Sequence, residues 1–314
     1  MKAILKSVSR SFYLTIKFLP RALREPVSLA YLLARATDTL ADTAAIPAAI
    51  RLAILRDFAR VIAGEQDFSA VEESLRDFAL RQADPAERTL IENLRACIEW
   101  LARLEPADQT DIRAVLKIIV RGQELDLERF GDAATAQPLR TAAELDEYTY
   151  LVAGCVGEFW TGLGFRHLPN FATRPPEEMT ELGIRYGEGL QLINVLRDRA
   201  ADAAAGRGYL PVEELAQSSV EDVFARWLGR AEEKIGRGIT YSSSLTNWRI
   251  RYATALPALI GARTIGLLRA AGPAAPKVKV PRKEVRHLLA AALPATLSPL
   301  ALQNLFQRLL GPPR

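Results

Sequence analysis

The sequence predicts an all-α protein, a single domain of 314 residues folded as a helical bundle around a central cavity. Three observations carry that expectation. No stretch alternates apolar and polar residues between turn signals as a half-buried strand does, and no internal repeat is evident. Apolar residues recur instead at helical intervals, as in Ile112, Val115, Leu116 and Ile119 at i, i+3, i+4 and i+7. Finally, two helical stretches carry a polar stripe along an otherwise apolar helix. Such a stripe costs desolvation energy unless it lines a wet or ion-filled space, so both stripes are expected to face one cavity.

Residues 1–20 read as a lead-in carrying Ser9-Arg10-Ser11-Phe12. A helix is expected after Pro20 and through Asp42, and 46–64 and 68–82, rich in Ala, Leu, Arg and Glu, suit two more. Asp84-Pro85-Ala86-Glu87 has the order of an N-cap, a first-turn proline and an acid at the third helical position, which predicts a helix reaching about Leu104. The next helix runs from Pro106 to about Phe130. After a loop over 131–140, Thr141-Ala-Ala-Glu144 begins another, in which Tyr148 sits one turn from Val152 among small residues. Pro169 to Pro176 is a break, and a helix from about Glu177 carries the second polar stripe through Asp202. Gly206-Arg207-Gly208-Tyr209-Leu210-Pro211 is turn chemistry. Helices over 219–240 and 246–271 follow, then a lysine-bearing connection from Pro273 to Pro281 and an amphipathic end segment over 284–314.

An apolar fraction of 49% with 25% charged residues excludes a disordered chain. The formal charge of +4 is spread among mixed-sign helices with no basic run, which speaks against nucleic acid and suits a phosphorylated substrate or anionic lipid. Cys97 and Cys155 make neither a disulfide framework nor a metal pattern, and two histidines leave little for zinc. The cysteines accord with a reducing compartment. The amino terminus lacks the pattern of a secretory signal. No run of about 18 apolar residues is present; Leu288 to Leu302 is interrupted by Pro294, Ser298 and Pro299, so this segment is expected to touch a membrane surface rather than cross it.

The polar stripes are alike. Tyr31, Arg35, Asp38 and Asp42 step by four, three and four residues; Gln191, Asn194, Asp198 and Asp202 step by three, four and four. At i, i+4 two carboxylates share a face with Cβ atoms about 5–6 Å apart and repel each other, which nothing in folding requires. Paired carboxylates suit a hard divalent cation, and Mg²⁺ is typically held by one or two of them plus substrate phosphates. Either pair alone would more readily mark a solvated helix face, since this spacing arises often by chance. Two pairs in matching settings, each with a nearby arginine (Arg35, Arg197), point to metal ions gripping a diphosphate.

Four motifs in order resemble the squalene/phytoene synthases: Ser9-Arg10-Ser11-Phe12; Tyr31-x-x-x-Arg35-x-x-Asp38-x-x-x-Asp42; Tyr148-x-x-x-Val152-Ala153-Gly154-x-Val156-Gly157; and Gln191-x-x-Asn194-x-x-Arg197-Asp198-x-x-x-Asp202-x-x-x-x-Arg207. The resemblance implies an isoprenoid-synthase helical fold in which Asp38, Asp42, Asp198 and Asp202 bind Mg²⁺. It implies diphosphate binding by Ser9, Arg10, Ser11, Tyr31, Arg35, Gln191, Asn194, Arg197 and Arg207, and catalytic roles for Phe12, Arg35 and Tyr148. Two prenyl diphosphates would be joined into a cyclopropylcarbinyl diphosphate, with metal ions and arginines stabilising the leaving group. Tyr148 would take the proton lost on ring closure. A phenol near pKa 10 is a weak base, so that role needs an acidic substrate cation or a depressed pKa; the alternative is a core tyrosine bonded to a carbonyl.

Within the family the second step is either reductive, giving squalene with NADPH, or ends in proton loss, giving dehydrosqualene or phytoene. Thr254 to Thr264, with Pro257, resembles a squalene-synthase helix. Lys277-Val-Lys279-Val-Pro-Arg282-Lys283 resembles the basic segment implicated in nicotinamide cofactor binding, so Asn194, Lys279 and Arg282 are the implied NADPH contacts; a solvated basic loop is the alternative. The chain lacks a glycine-rich dinucleotide fingerprint, the third acid some relatives carry in the second motif, and the carboxy-terminal membrane anchor of eukaryotic squalene synthases. The expectation is therefore a cytoplasmic squalene synthase of bacterial type, peripheral to the membrane and using two farnesyl diphosphates. Its rivals are a dehydrosqualene or phytoene synthase, an enzyme that stops at presqualene diphosphate, and a non-catalytic assembly factor. Retention of all four aspartates argues against the last.

Overall fold

The computed structural model describes residues 1–9, 16–132, 136–276 and 278–311. Among them there is no strand, only an isolated antiparallel bridge between Ala172 and Leu245. The chain divides into two compact units, 1–135 and 136–314.

The first unit begins with α1 (Lys2–Ser9), so part of the expected lead-in is helical: Ile4, Leu5 and Val8 recur on one buried face. Then come α2 (Arg21–Asp42), α3 (Ala48–Ala63), α4 (Glu72–Arg81), α5 (Pro85–Glu92), α6 (Leu94–Leu101) and α7 (Pro106–Phe130). α2 packs on α3, α6 and α7, burying Leu23, Leu29, Leu32, Leu33 and Leu40. The cap on α5 is as the sequence predicts: the Asp84 carboxylate accepts from the N–H groups of Ala86 (2.8 Å) and Glu87 (3.2 Å). The helix does not continue to Leu104. It breaks at Asn93, whose side chain donates to the Thr89 carbonyl at 2.7 Å and so competes for the ladder's own acceptor. The acidic end of α2 is held by the buried Arg51 of α3, which donates to the carbonyls of Ile46 (2.8 Å) and Ala41. That supplies a partner for a carbonyl in the last turn of α2, where helical acceptors run out.

The second unit contains α8 (Ala142–Thr149), α9 (Cys155–His167), α10 (Pro176–Ala204), α11 (Val212–Leu215), α12 (Val220–Ser244), α13 (Trp248–Ala271), α14 (Arg282–Ala295) and α15 (Pro299–Leu310). Thr141 caps α8 by accepting from Glu144 N–H at 3.1 Å, while the Glu144 carboxylate reaches back to Arg140 N–H at 2.6 Å. Between α8 and α9 the chain makes one π-helical turn, Tyr150–Gly154. The turn widens the helix by one residue, so the register of the segment after it is offset from that of a continuous α-helix. The turn packs against α10, where a Cβ on Gly187 would lie 2.2 Å from the Ala153 carbonyl oxygen. One turn on, a Cβ on Gly157 would lie 1.9 Å from the Gly183 oxygen, so α9 and α10 cross backbone to backbone. α10 is the hub of this unit, in contact with α9, α12 and α13.

Candidate active site

In the first unit the stripe on α2 is built as the spacing predicts. Tyr31 donates its hydroxyl to the Val8 carbonyl at 3.3 Å, tying α2 to α1. Ser9, at the end of α1, spends its hydroxyl proton on the Leu5 carbonyl and so presents only lone pairs to an anion. Arg10, Ser11 and Phe12 lie outside the described residues. Arg35 pairs with Glu87 at the start of α5, and its buried Nε has no partner. Burial works against the Arg35 charge, but Glu87 and Asp38 outweigh it and its pKa is raised.

Asp38 is half-buried, and its pKa is pushed up to about 6 by burial first and by the charge of Asp42 second. Gln123 and Arg35 pull the other way. Gln123, on α7 and only 7% exposed, donates Nε2 to Asp38 Oδ1 at 2.5 Å, while its own Oε1 is buried without a partner. Two carboxylates strained by each other's charge beside an orphaned amide oxygen form a donor set that fits a hard dication. The sequence reading missed Gln123 and gave Glu87 only a capping role. A polar residue on the apolar face of α7 that includes Ile119, Val120 and Leu127 was the available signal.

In the second unit the stripe lies on α10. Asn194 donates its amide to Gln191 Oε1 at 3.2 Å. Arg197 grips Asp198 bidentately, Nε to Oδ1 at 3.1 Å and Nη2 to Oδ2 at 2.6 Å, so it fixes that carboxylate's orientation. Asp202 is half-buried in the last turns of α10, and its backbone oxygen accepts from Arg207 N–H at 2.8 Å. Gly206, at φ +79°, makes the reversal between them, a conformation open to glycine at little cost. The Gly208 carbonyl then accepts from Leu139 N–H (2.9 Å) and Val212 N–H donates to the Leu139 carbonyl (3.0 Å). This bracing lays the Tyr209 ring on Tyr148, centroids 5.0 Å apart and planes 30° from parallel. The tyrosine of the third motif and the loop carrying Arg207 thus come together. Tyr209, read from the sequence only as part of a turn, is the residue that joins them.

The same unit holds a buried ionic network. Lys234 of α12 (8% exposed) donates to Glu188 of α10 (4% exposed) at 2.5 Å and lies 3.5 Å from Asp146 of α8. Arg230 holds Asp146 at 2.7 Å. Asp146 is two residues before Tyr148, so the network ties the tyrosine's helix to α10 and α12. Lys279 and Arg282 are exposed ahead of and at the start of α14, and Lys277 lies outside the described residues. Among the described residues no group of three or more His, Cys, Asp or Glu side chains could hold a metal alone. Mg²⁺ there would draw on substrate oxygens and water, as it commonly does.

A family profile described as squalene/phytoene synthase matches residues 5–284. A bifunctional lycopene cyclase/phytoene synthase of Phaeosphaeria nodorum is 30% identical over 219 residues, covering 69% of this chain and 34% of the relative. The squalene synthase of Yarrowia lipolytica is 28% identical over 212 residues, 67% of this chain and 44% of the relative. The matches thus span less than half the length of these curated relatives. Among solved structures, a ligand complex of TcSQS superposes with a TM-score of 0.75 at 23% identity, covering 98% of this chain and 89% of that one. The squalene synthase HpnC from Alicyclobacillus acidocaldarius gives 0.55 at 22%, covering 87% and 93%. These likenesses show the fold, which is that of the isoprenoid synthases.

Proposed function

The chain belongs to the squalene/phytoene synthase family, and from that premise we propose that it joins two prenyl diphosphates head to head. The finer reading is squalene synthase: two farnesyl diphosphates condense to presqualene diphosphate, which is then reduced to squalene with NADPH. The observation that supports metal-assisted diphosphate departure is Asp38, a carboxylate held next to Asp42 at an electrostatic cost that a cation would relieve; the head-to-head geometry of joining rests on the family match.

Mg²⁺ held by each aspartate row would neutralise diphosphate oxygens and so ease C–O cleavage. The chain's own residues do the rest. Arg35, with a buried Nε lacking a partner, and Arg207 offer donors to the departing diphosphates. Gln123 and Arg197 hold Asp38 and Asp198 in place as oxygen donors. The first diphosphate leaves with the C–O bonding pair, and the double bond of the second substrate attacks the allylic cation. Loss of a proton closes the cyclopropane. Tyr148, clamped by Tyr209, is the side chain assigned to that proton, and the released diphosphate is the stronger base to which it passes.

The reductive step has separate support. Lys279 and Arg282 are exposed cations of the type that binds cofactor phosphates, whereas the Asn194 amide is already bonded to Gln191. The 30% identity to the phytoene synthase of Phaeosphaeria nodorum favours a second reading, in which proton loss replaces hydride transfer. The test is to incubate the purified chain with farnesyl diphosphate and Mg²⁺, with and without NADPH, and to identify products by mass. Squalene with NADPH and presqualene diphosphate without it is the expected pair. Dehydrosqualene in the presence of ample NADPH would select the second reading, and presqualene diphosphate under both conditions would assign the chain to the first half-reaction alone.

A further inference from the structure

From Leu288 to Gln307 the chain carries no Asp, Glu, Lys or Arg, yet it folds on the surface of its unit. One face of α14 and α15 is anchored: Leu288, Leu302, Leu305 and Phe306 are buried, and both helices pack on α13. The turn between them points other leucines outward. Leu297 is 71% exposed, Leu300 70% and Leu293 47%, with Pro294 and Pro299 exposed beside them. The turn is held in shape, since Arg251 of α13 donates to the Thr296 carbonyl at 2.9 Å and Thr296 donates its hydroxyl to the Leu293 carbonyl at 2.8 Å. A concentrated apolar patch on a held surface marks a contact with something apolar.

The charges flanking the tip say what that is. Lys279, Arg282, Lys283 and Arg286 precede it and Arg308 follows it, all exposed. The single acid among them, Glu284, is taken up by Arg263. We propose that this turn is a monotopic docking tip that inserts Leu293, Leu297 and Leu300 into the interface of an anionic lipid leaflet, with the flanking cations on the headgroup phosphates. No described helix is long and apolar enough to cross a membrane, so the tip lies in the surface. A two-fold contact between copies would set cationic flank against cationic flank, which disfavours that occupant. Lys279 and Arg282 are also the cations proposed above for the cofactor phosphates, so the test reads Lys283 and Arg286, which that reading does not use.

The test uses the full chain and flotation with vesicles of phosphatidylcholine alone or with phosphatidylglycerol. Binding is expected only to the anionic vesicles and should weaken as salt is raised. Leu297→Asp/Leu300→Asp should lower the partition coefficient at least about 100-fold, since each leucine is worth about tenfold or more. Lys283→Gln/Arg286→Gln should lower it about 25-fold, at about fivefold per cation. An unchanged circular dichroism spectrum and melting temperature in the leucine variant report that it folds. Wild-type protein that floats equally with both vesicle types, or with neither, would overturn the proposal. So would an unchanged partition coefficient in the leucine variant, or light scattering that shows a dimer which the leucine variant dissolves.

Discussion

Replacing Gln123 with leucine tests whether Asp38 is a metal ligand with a dedicated supporting residue. The variant removes the 2.5 Å bond from Nε2 to Asp38 and, with it, the buried Oε1 that has no partner. A hydrogen bond to a charged group is worth about 1.5–3 kcal/mol, and an orphaned buried acceptor costs about 1–3 kcal/mol, so the two losses nearly cancel in the stability of the metal-free fold. They do not cancel in metal binding. Without its donor Asp38 holds its proton to higher pH, from a starting point already at about 6. It also loses the partner that aims it. Removing such a supporting residue typically costs 10–100-fold in metal affinity. The Mg²⁺ concentration for half-maximal turnover should therefore rise about tenfold or more at pH 7, and by less at pH 9, where the proton no longer competes. Thermal melting without Mg²⁺ should move little. An unchanged Mg²⁺ requirement at pH 7 in a variant that melts normally would refute the assignment.

Two further predictions follow from the same geometry. Because the Asp38 pKa is raised above its ordinary 3.8, the folded state binds the extra proton and stability falls as pH rises from about 4 to about 6. The loss should be about 2–3 kcal/mol in urea titrations without metal after allowing for partial exposure, and Asp38→Asn should abolish it; a flat profile for the wild type would contradict the burial of that charge. Lys234→Met leaves Glu188 and Asp146 short of a buried partner and should destabilise by about 3 kcal/mol, most of which Lys234→Met/Glu188→Leu should restore. A loss under about 1 kcal/mol in the single variant would mean that the network contributes little.

The parts of this fold legible in the sequence are those decided locally. Asp84 and Thr141 start helices where their capping chemistry places them, and the rows on α2 and α10 follow from helical spacing alone. What escaped depends on contacts between distant segments. The break at Asn93 is a contest between a side-chain amide and the backbone ladder, which propensity does not resolve. The π turn at Tyr150–Gly154 abuts the bare backbone at Gly187, far along the chain. Gln123 and Tyr209 take their roles from Asp38 and Tyr148, so neither has a signature of its own.

The central claim is that the aspartates act by holding Mg²⁺ on a diphosphate leaving group, and calorimetric titration with inorganic diphosphate measures this without any turnover. Binding should require Mg²⁺, vanish with chelator, and weaken at least about tenfold in Asp42→Ala and in Asp202→Ala while circular dichroism stays unchanged. Diphosphate binding that is equally tight with chelator present, or in folded protein lacking both aspartates, would contradict it.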